Sequence, residues 1–212
     1  MAAIFWNNVV VTLQSALAAT KTITALTNAN PGVATSTSHG YTNGQFVVLN
    51  IVGMPQLEGR VVRVANVATN TFELEGVDTT SLGTFSSGTA QLITFGKTMA
   101  TMSGVSVSGG DPEFADISTI HENVRREVPT IFSTMKLEFD SLFDPADAAL
   151  VELKLATDTA TKRAVKITFS SGSIVALNSY VAASLIPTGS FPDVVKTAVA
   201  LTAYGRPTVY SA

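Results

Sequence analysis

Met135-Lys136-Leu137-Glu138-Phe139-Asp140-Ser141-Leu142-Phe143-Asp144-Pro145-Ala146-Asp147 opens the stretch on which the fold turns, residues 135–204. Met135, Leu137 and Phe139 alternate with Lys136, Glu138 and Asp140, which is the period of a half-buried strand. A helix is predicted next, over about residues 144–157. Asp144 can cap it, Pro145 suits its first position, and Asp147 lies near its positive end. Leu150, Leu153 and Thr157 recur at helical spacing, and Val151 and Leu155 widen the apolar side. Val165, Ile167 and Phe169 then alternate with Lys166, Thr168 and Ser170. Ser170-Ser171-Gly172-Ser173 predicts a hairpin turn into a strand at 174–183. Pro187-Thr188-Gly189 predicts a second turn, and 194–204 a final strand. The order strand, helix, strand, strand, strand predicts a mainly β (α+β) class: an antiparallel sandwich or barrel with one helix laid across it.

Working back from this stretch, the texture changes over residues 22–95. Turn signals recur at Asn30-Pro31-Gly32, Thr42-Asn43-Gly44, Gly53-Met54-Pro55 and Ala68-Thr69-Asn70. The short apolar runs between them predict strands at 22–26, 33–37, 46–51, 61–67, 71–74 and 89–93. Such spacing indicates a small all-β barrel or sandwich. We read it as a module inserted after the first strand of a main domain, itself made of residues 1–21 and 96–212. Val9, Val11 and Leu13 alternate in that first strand, and Phe5 and Trp6 precede it as an N-terminal arm. The two aromatics either tuck under their own domain or dock on a neighbouring copy.

Residues 96–134 are the least regular. One strand is predicted at 102–108. The 111–130 segment then carries Asp116, Ile117, Thr119, His121, Glu122, Arg125 and Arg126. It is either a solvated loop with a short helical turn or a segment that reaches a partner. Its length favours the partner, because ordered domains seldom keep ~20 structureless residues without a use.

The chemical inventory points away from catalysis and cofactors. With no cysteine there is no disulfide, thiol or zinc–thiolate chemistry. His39 and His121 have no companions at ligand-like spacing and read as solvated loop histidines; a hydrolase built on His121 and Glu122 is the weakest alternative. Glu138, Asp140, Asp144 and Asp147 are explained by a strand's polar face and a helix start. The glycines at 104, 109 and 110 lack the Lys-Ser/Thr of a phosphate loop. A net charge of −3 does not make a nucleic-acid-binding surface. No window suits a membrane span or a signal peptide. Only 14% of residues are charged, which suits a surface covered by copies of the same chain.

Two sets of phrases carry a resemblance. Ile23-Thr24-Ala25-Leu26-Thr27-Asn28-Ala29-Asn30-Pro31, Ser38-His39-Gly40-Tyr41-Thr42-Asn43-Gly44, Leu57-Glu58-Gly59-Arg60, Val64-Ala65-Asn66-Val67 and Asn70-Thr71-Phe72-Glu73-Leu74 resemble the small β domain of many phage tail and fibre proteins. Gly109-Gly110-Asp111-Pro112-Glu113, Asp116-Ile117-Ser118-Thr119-Ile120-His121, Phe143-Asp144-Pro145-Ala146-Asp147 and Ala203-Tyr204-Gly205-Arg206-Pro207-Thr208 resemble the major tail tube protein of long, non-contractile-tailed phages. The second resemblance implies a virion structural protein assembled in the host bacterial cytoplasm. Homo-hexameric rings would stack into a tail tube that conducts DNA to the host. Tail tip, tape measure and tail terminator proteins would be its partners, and DNA would pass without specific binding. It also implies that the sheet continues between subunits, that a long loop bridges rings, and that the module decorates the tube. On that reading Lys136, Glu138, Asp140, Lys166 and Lys196 are candidates for a lumen or subunit-contact face. A ring of six would carry about −18, which repels phosphate. The alternative is a fibre or adhesin component that binds a host-surface glycan through the 22–94 module; it would need a groove of aromatic side chains, and Tyr41, Phe46, Phe72, Phe85 and Phe95 fall mostly at strand positions that suit burial in the core.

Overall fold

Alternating apolar residues become strands through most of the chain. The computed structural model describes residues 8–121 and 123–212, so Phe5, Trp6 and Glu122 lie outside the described residues. The first strands are β1 (Val10–Leu17), β2 (Lys21–Ile23), β3 (Ala25–Leu26), β4 (Val33–Thr35), β5 (Phe46–Val52), β6 (Val61–Ala65), β7 (Thr71–Leu74) and β8 (Ser87–Thr98). β9 (Met102–Ser108), β10 (Pro112–Asp116), β11 (Glu127–Phe132) and β12 (Lys136–Leu142) follow. After α1 (Ala148–Asp158) come β13 (Arg163–Thr168), β14 (Ile174–Ala182), β15 (Lys196–Ala203) and β16 (Thr208–Tyr210). The main sheet runs β3-β4-β7-β6-β5-β8-β1-β13-β14-β15-β12-β9, with β2 on β8 and β16 on β14, while β10 and β11 pair with each other.

Three apolar clusters organise this sheet. In the first, Val11 and Leu13 of β1 meet Leu137 and Phe139 of β12, Val165, Leu177 and Leu201 beneath Leu150 and Leu153 of α1. Strands at the two sides of this region share one core, so the sheet curls around the helix. The second cluster fills the β2–β8 region with Leu49, Met54, Leu57, Val62, Phe72 and Leu74. The third joins the two: Phe46, Val48 and Val61 meet Ala164, Ala176 and Tyr210. β8 is also shared, since its first half pairs with β5 and its second half with β1.

Several expectations need correction. The helix begins at Ala148, not 144. Asp147 is the cap, its Oδ1 accepting from the amides of Ala149 at 2.7 Å and Leu150 at 3.1 Å. Asp144 instead closes a turn, accepting from the Ala146 amide at 2.9 Å. Val151 and Leu155 do not join the buried side; both face outward. The strand expected at 22–26 divides at Thr24, whose amide bonds Thr35 O as the chain leaves β8 for β4. The strand expected at 61–67 stops at Ala65, because Asn66 takes a φ of 43°. The final strand is shorter than 194–204, and the 208–210 strand was not anticipated. Val10–Leu17 is the expected first strand, set inside the sheet between β8 and β13.

Candidate assembly surface

The 111–130 segment is a β-hairpin rather than a loop with a helical turn. Asp116 pairs with Glu127, Ala115 with Val128 and Phe114 with Pro129. Its neck is polar and well bonded. Arg125 Nε lies 3.0 Å from Asp116 Oδ2 and 3.1 Å from Glu127 Oε1. The hydroxyl and amide of Ser118 donate to Asp116, and with Arg125 behind them they hold its carboxyl below the ordinary value. Ser118 Oγ in turn accepts from the Arg126 amide at 2.8 Å. Most apolar side chains of the hairpin are left uncovered among the described residues. Phe114, Ile117, Ile120, Val124, Val128 and Ile131 are all exposed, Ile120 almost completely at 96%. A two-stranded ribbon cannot cover its own apolar surface, and patches of this kind mark contact sites.

The arm continues the β9–β12 ribbon beyond a kink. Ser108 pairs with Lys136 just before it, and Gly109 and Gly110 both take positive φ, 77° and 86°. A Cβ at Gly109 would stand 2.2 Å from Thr134 O, so only glycine lets the two chains cross here. The Arg206 guanidinium lies over the Phe132 ring, 4.2 Å from its centre, and fixes the root.

The second feature is an uncovered sheet face. Lys136, Glu138 and Asp140 of β12 point away from α1 and are exposed. They lie opposite Thr202, Ala200 and Ala198 of β15, with Ser108, Ser106 and Ser103 of β9 on the other side. Lys196 stands on this face at the end of β15. Lys166 does not. It lies between the two main cores, its Nζ 4.9 Å from the Phe95 ring centre and 5.7 Å from that of Phe46. The face ends at β9, whose outer edge is unpaired among the described residues. β9 has neither charge nor proline to guard that edge. At Gly104 (φ 61°) the β9–β12 register shifts by one residue, a β-bulge.

In the β2–β8 region the aromatic rings turn to the cores, Phe85 and Phe95 half-buried against them. Tyr41, Phe46 and Phe72 are buried. His39 is buried too, against the expectation of a solvated loop. Its Nδ1 accepts from the Tyr41 amide at 3.0 Å and its Nε2 faces Ala68 O at 3.0 Å, which fixes the ring beside Tyr41 and Phe72. His121 is exposed at the arm tip. Among the described residues no three His, Asp or Glu side chains gather as metal ligands, and no helix is long and apolar enough to cross a membrane.

Comparison with known proteins gives this surface its context. The family model described as phage tail tube protein, TTP, matches residues 52–212. The chain belongs to the phage tail tube proteins. It is thus a structural component of the virion tail. Its match to the family includes the arm, the uncovered face and the helix. One solved structure similar to this tail tube protein is the tail of an empty GTA particle computed with helical refinement in C6 symmetry. That likeness has 14% identity and a TM-score of 0.44, over 64% of this chain and 92% of that one. No protein of curated function matches the sequence.

The sequence reading nominated Asp116, Ile117, Thr119, His121, Arg125 and Arg126, and the structure places them together on the arm beyond Ala115. It missed Arg206 and a second exposed apolar group, Ile186, Phe191, Val194 and Val195, in the β14–β15 loop. The available signal was apolar residues in a segment rich in Pro, Gly and Ser, where no core strand could bury them.

Proposed function

We propose that this tail tube protein self-assembles as six-membered rings, which stack into the tube that carries DNA from capsid to host. The observation that carries the reading is the uncovered face of β14, β15, β12 and β9, together with the free edge of β9. An unpaired edge with neither charge nor proline is completed when a neighbouring copy adds a strand, and closing the ring removes open edges. The face itself is small and polar, with Ala198, Ala200, Ser106 and Thr202 around Glu138 and Asp140. Such a surface suits a lumen: it offers DNA no basic stripe, its carboxylates repel phosphate, and the exposed Tyr180 opposite Thr202 is engaged edge-on by Tyr204. Lys136 and Lys196 sit at its two ends, where subunits of successive rings meet. The arm supplies contacts between rings. Tail tip, tape measure and terminator proteins occupy the tube's ends and lumen, and assembly takes place in the bacterial cytoplasm. The chain has no catalytic role in this scheme.

Negative-stain microscopy over a concentration series tests the reading. Hollow tubes or six-fold rings are expected. A stable, elongated trimer would overturn it in favour of a fibre component.

A further inference from the structure

The arm and the β14–β15 loop are exposed apolar groups at opposite ends of the same strands. β12 begins at the arm's root, where Lys136 pairs with Ser108 and Thr202. It ends where Leu142 pairs with Lys196, at the foot of the loop. Seven residues at about 3.3 Å each put the two ends on the order of 20 Å apart. The loop is built to hold its shape. The Thr188 amide donates to Lys196 O at 2.7 Å and the Lys196 amide to Thr188 O at 2.9 Å, closing its neck. Ser190 Oγ donates to Asp193 Oδ2 at 3.2 Å, shaping the tip, and Leu185 anchors the other side in the core under α1. On this frame Ile186, Phe191, Val194 and Val195 all face outward, Phe191 with no measurable cover at 101% exposure.

We propose that residues 184–195 form the acceptor for the arm tip of a second copy, so that each subunit donates its arm at one end and receives an arm at the other. This rests on the tube reading and names the partner of the arm within it. A contact between two different patches of one chain is heterologous, and along one axis it generates an open stack rather than a closed pair. The areas are in proportion. Phe191 alone offers about 200 Å², and with Ile186, Val194 and Val195 the loop brings about 500 Å² of apolar surface to an interface whose standard size is roughly 800 Å² per partner. Ile117, Ile120 and Val124 supply the matching apolar surface on the arm tip. Val151 and Leu155 of α1 are also exposed, but they lie on the covering helix and not at a strand end.

The chain has no cysteine, so engineered thiols report the contact directly. Assembled tubes of an Ile120→Cys/Phe191→Cys variant are expected to oxidise into a long covalent ladder with position 120 joined to 191. An Ile120→Cys/Leu155→Cys control should give none. Tubes that form normally while 120 links to 155, to another 120, or to nothing would overturn the proposal. Phe191→Ser gives a second measure. It should leave far-UV circular dichroism and melting unchanged, because the side chain is uncovered, and raise the concentration needed for tube growth by about tenfold or more. Growth at the unaltered threshold would also overturn it. A wild-type protein that stays monomeric even when seeded with tail tips would remove the tube reading itself, a different result from intact tubes lacking the 120–191 link.

Discussion

His39 and Tyr41 show what single residues contribute to the inserted region. Both look like loop residues in sequence, yet they close one aromatic cluster with Phe72, with ring centroids 5.0–5.3 Å apart. Buried polar groups are tolerated only when bonded, and both are: His39 on its two nitrogens, Tyr41 by donating Oη to Ala90 O at 3.1 Å. Burial pushes the Tyr41 phenol from 10.0 up to about 12. The folded chain therefore keeps this proton where the unfolded chain has lost it. The stability involved is complete below about pH 10 and falls as pH rises towards about 12. Urea unfolding across that alkaline window should show a steeper loss for the wild type than for Tyr41→Phe. Parallel curves would show that Tyr41 is not the group responsible.

At the scale of elements, α1 and the arm behave in opposite ways. α1 is anchored at every part of its length. Asp147 caps it, and Ala149, Leu150, Leu153 and Ala156 are buried. Thr157 Oγ1 accepts from the Ala183 amide at 3.0 Å while donating within the helix to Leu153 O at 2.9 Å, tying the last turn to the end of β14. Glu152 and Arg163 add an ion pair at 2.9 Å. Removing the cap by Asp147→Ala is expected to cost about 1 kcal/mol in denaturant unfolding, while Asp144→Ala costs only a few tenths. A larger cost at Asp144 would return the cap to that residue, and equal costs would show that the Asp147 bonds carry no special weight. The arm has bonds at its neck and root, but among the described residues nothing covers Phe114, Ile120 or Ile131. That division suits a subunit whose fold is complete alone and whose arm is completed by assembly.

For the whole molecule, the question is how the β2–β8 region and the core beneath α1 hold together. Tyr210 sits at their junction. Its Oη accepts from the Arg63 amide at 2.7 Å, and the Arg63 guanidinium lies 4.5 Å from its ring centre. Thr208 Oγ1 donates to Val61 O at 2.5 Å from the same strand. Gly59 gives way to Tyr204, since a Cβ there would fall 2.3 Å from its ring. With Phe46, Val61, Ala164 and Ala176 packed around Tyr210, we expect the two regions to unfold together in one cooperative transition. Tyr210→Ala should lower stability by about 3–5 kcal/mol and separate the inserted region's melting from that of the core. Two transitions already present in the wild type would show that the junction does not couple them.

The sequence by itself determined the class of fold, most strands and the helix, because each depends on periods of two or of three to four residues that any buried face imposes. Through local phrases, it also carried the resemblance to tail tube proteins. It could not settle what depends on distant partners. Asp144 and Asp147 are both able to cap, and only packing of the first turn chose Asp147. Lys136 and Lys166 occupy equivalent places in alternating strands, yet Phe46 and Phe95, far off in the chain, took Lys166 away from the open face. His39 became a core residue because Ala68 and Phe72 return to it from across the inserted region. The kinked arm, the exposed Phe191 loop at the other end of the sheet and the Tyr210 junction were likewise decided by tertiary structure. A side chain's exposure is set by what folds over it, and that is written across the whole chain rather than beside the residue.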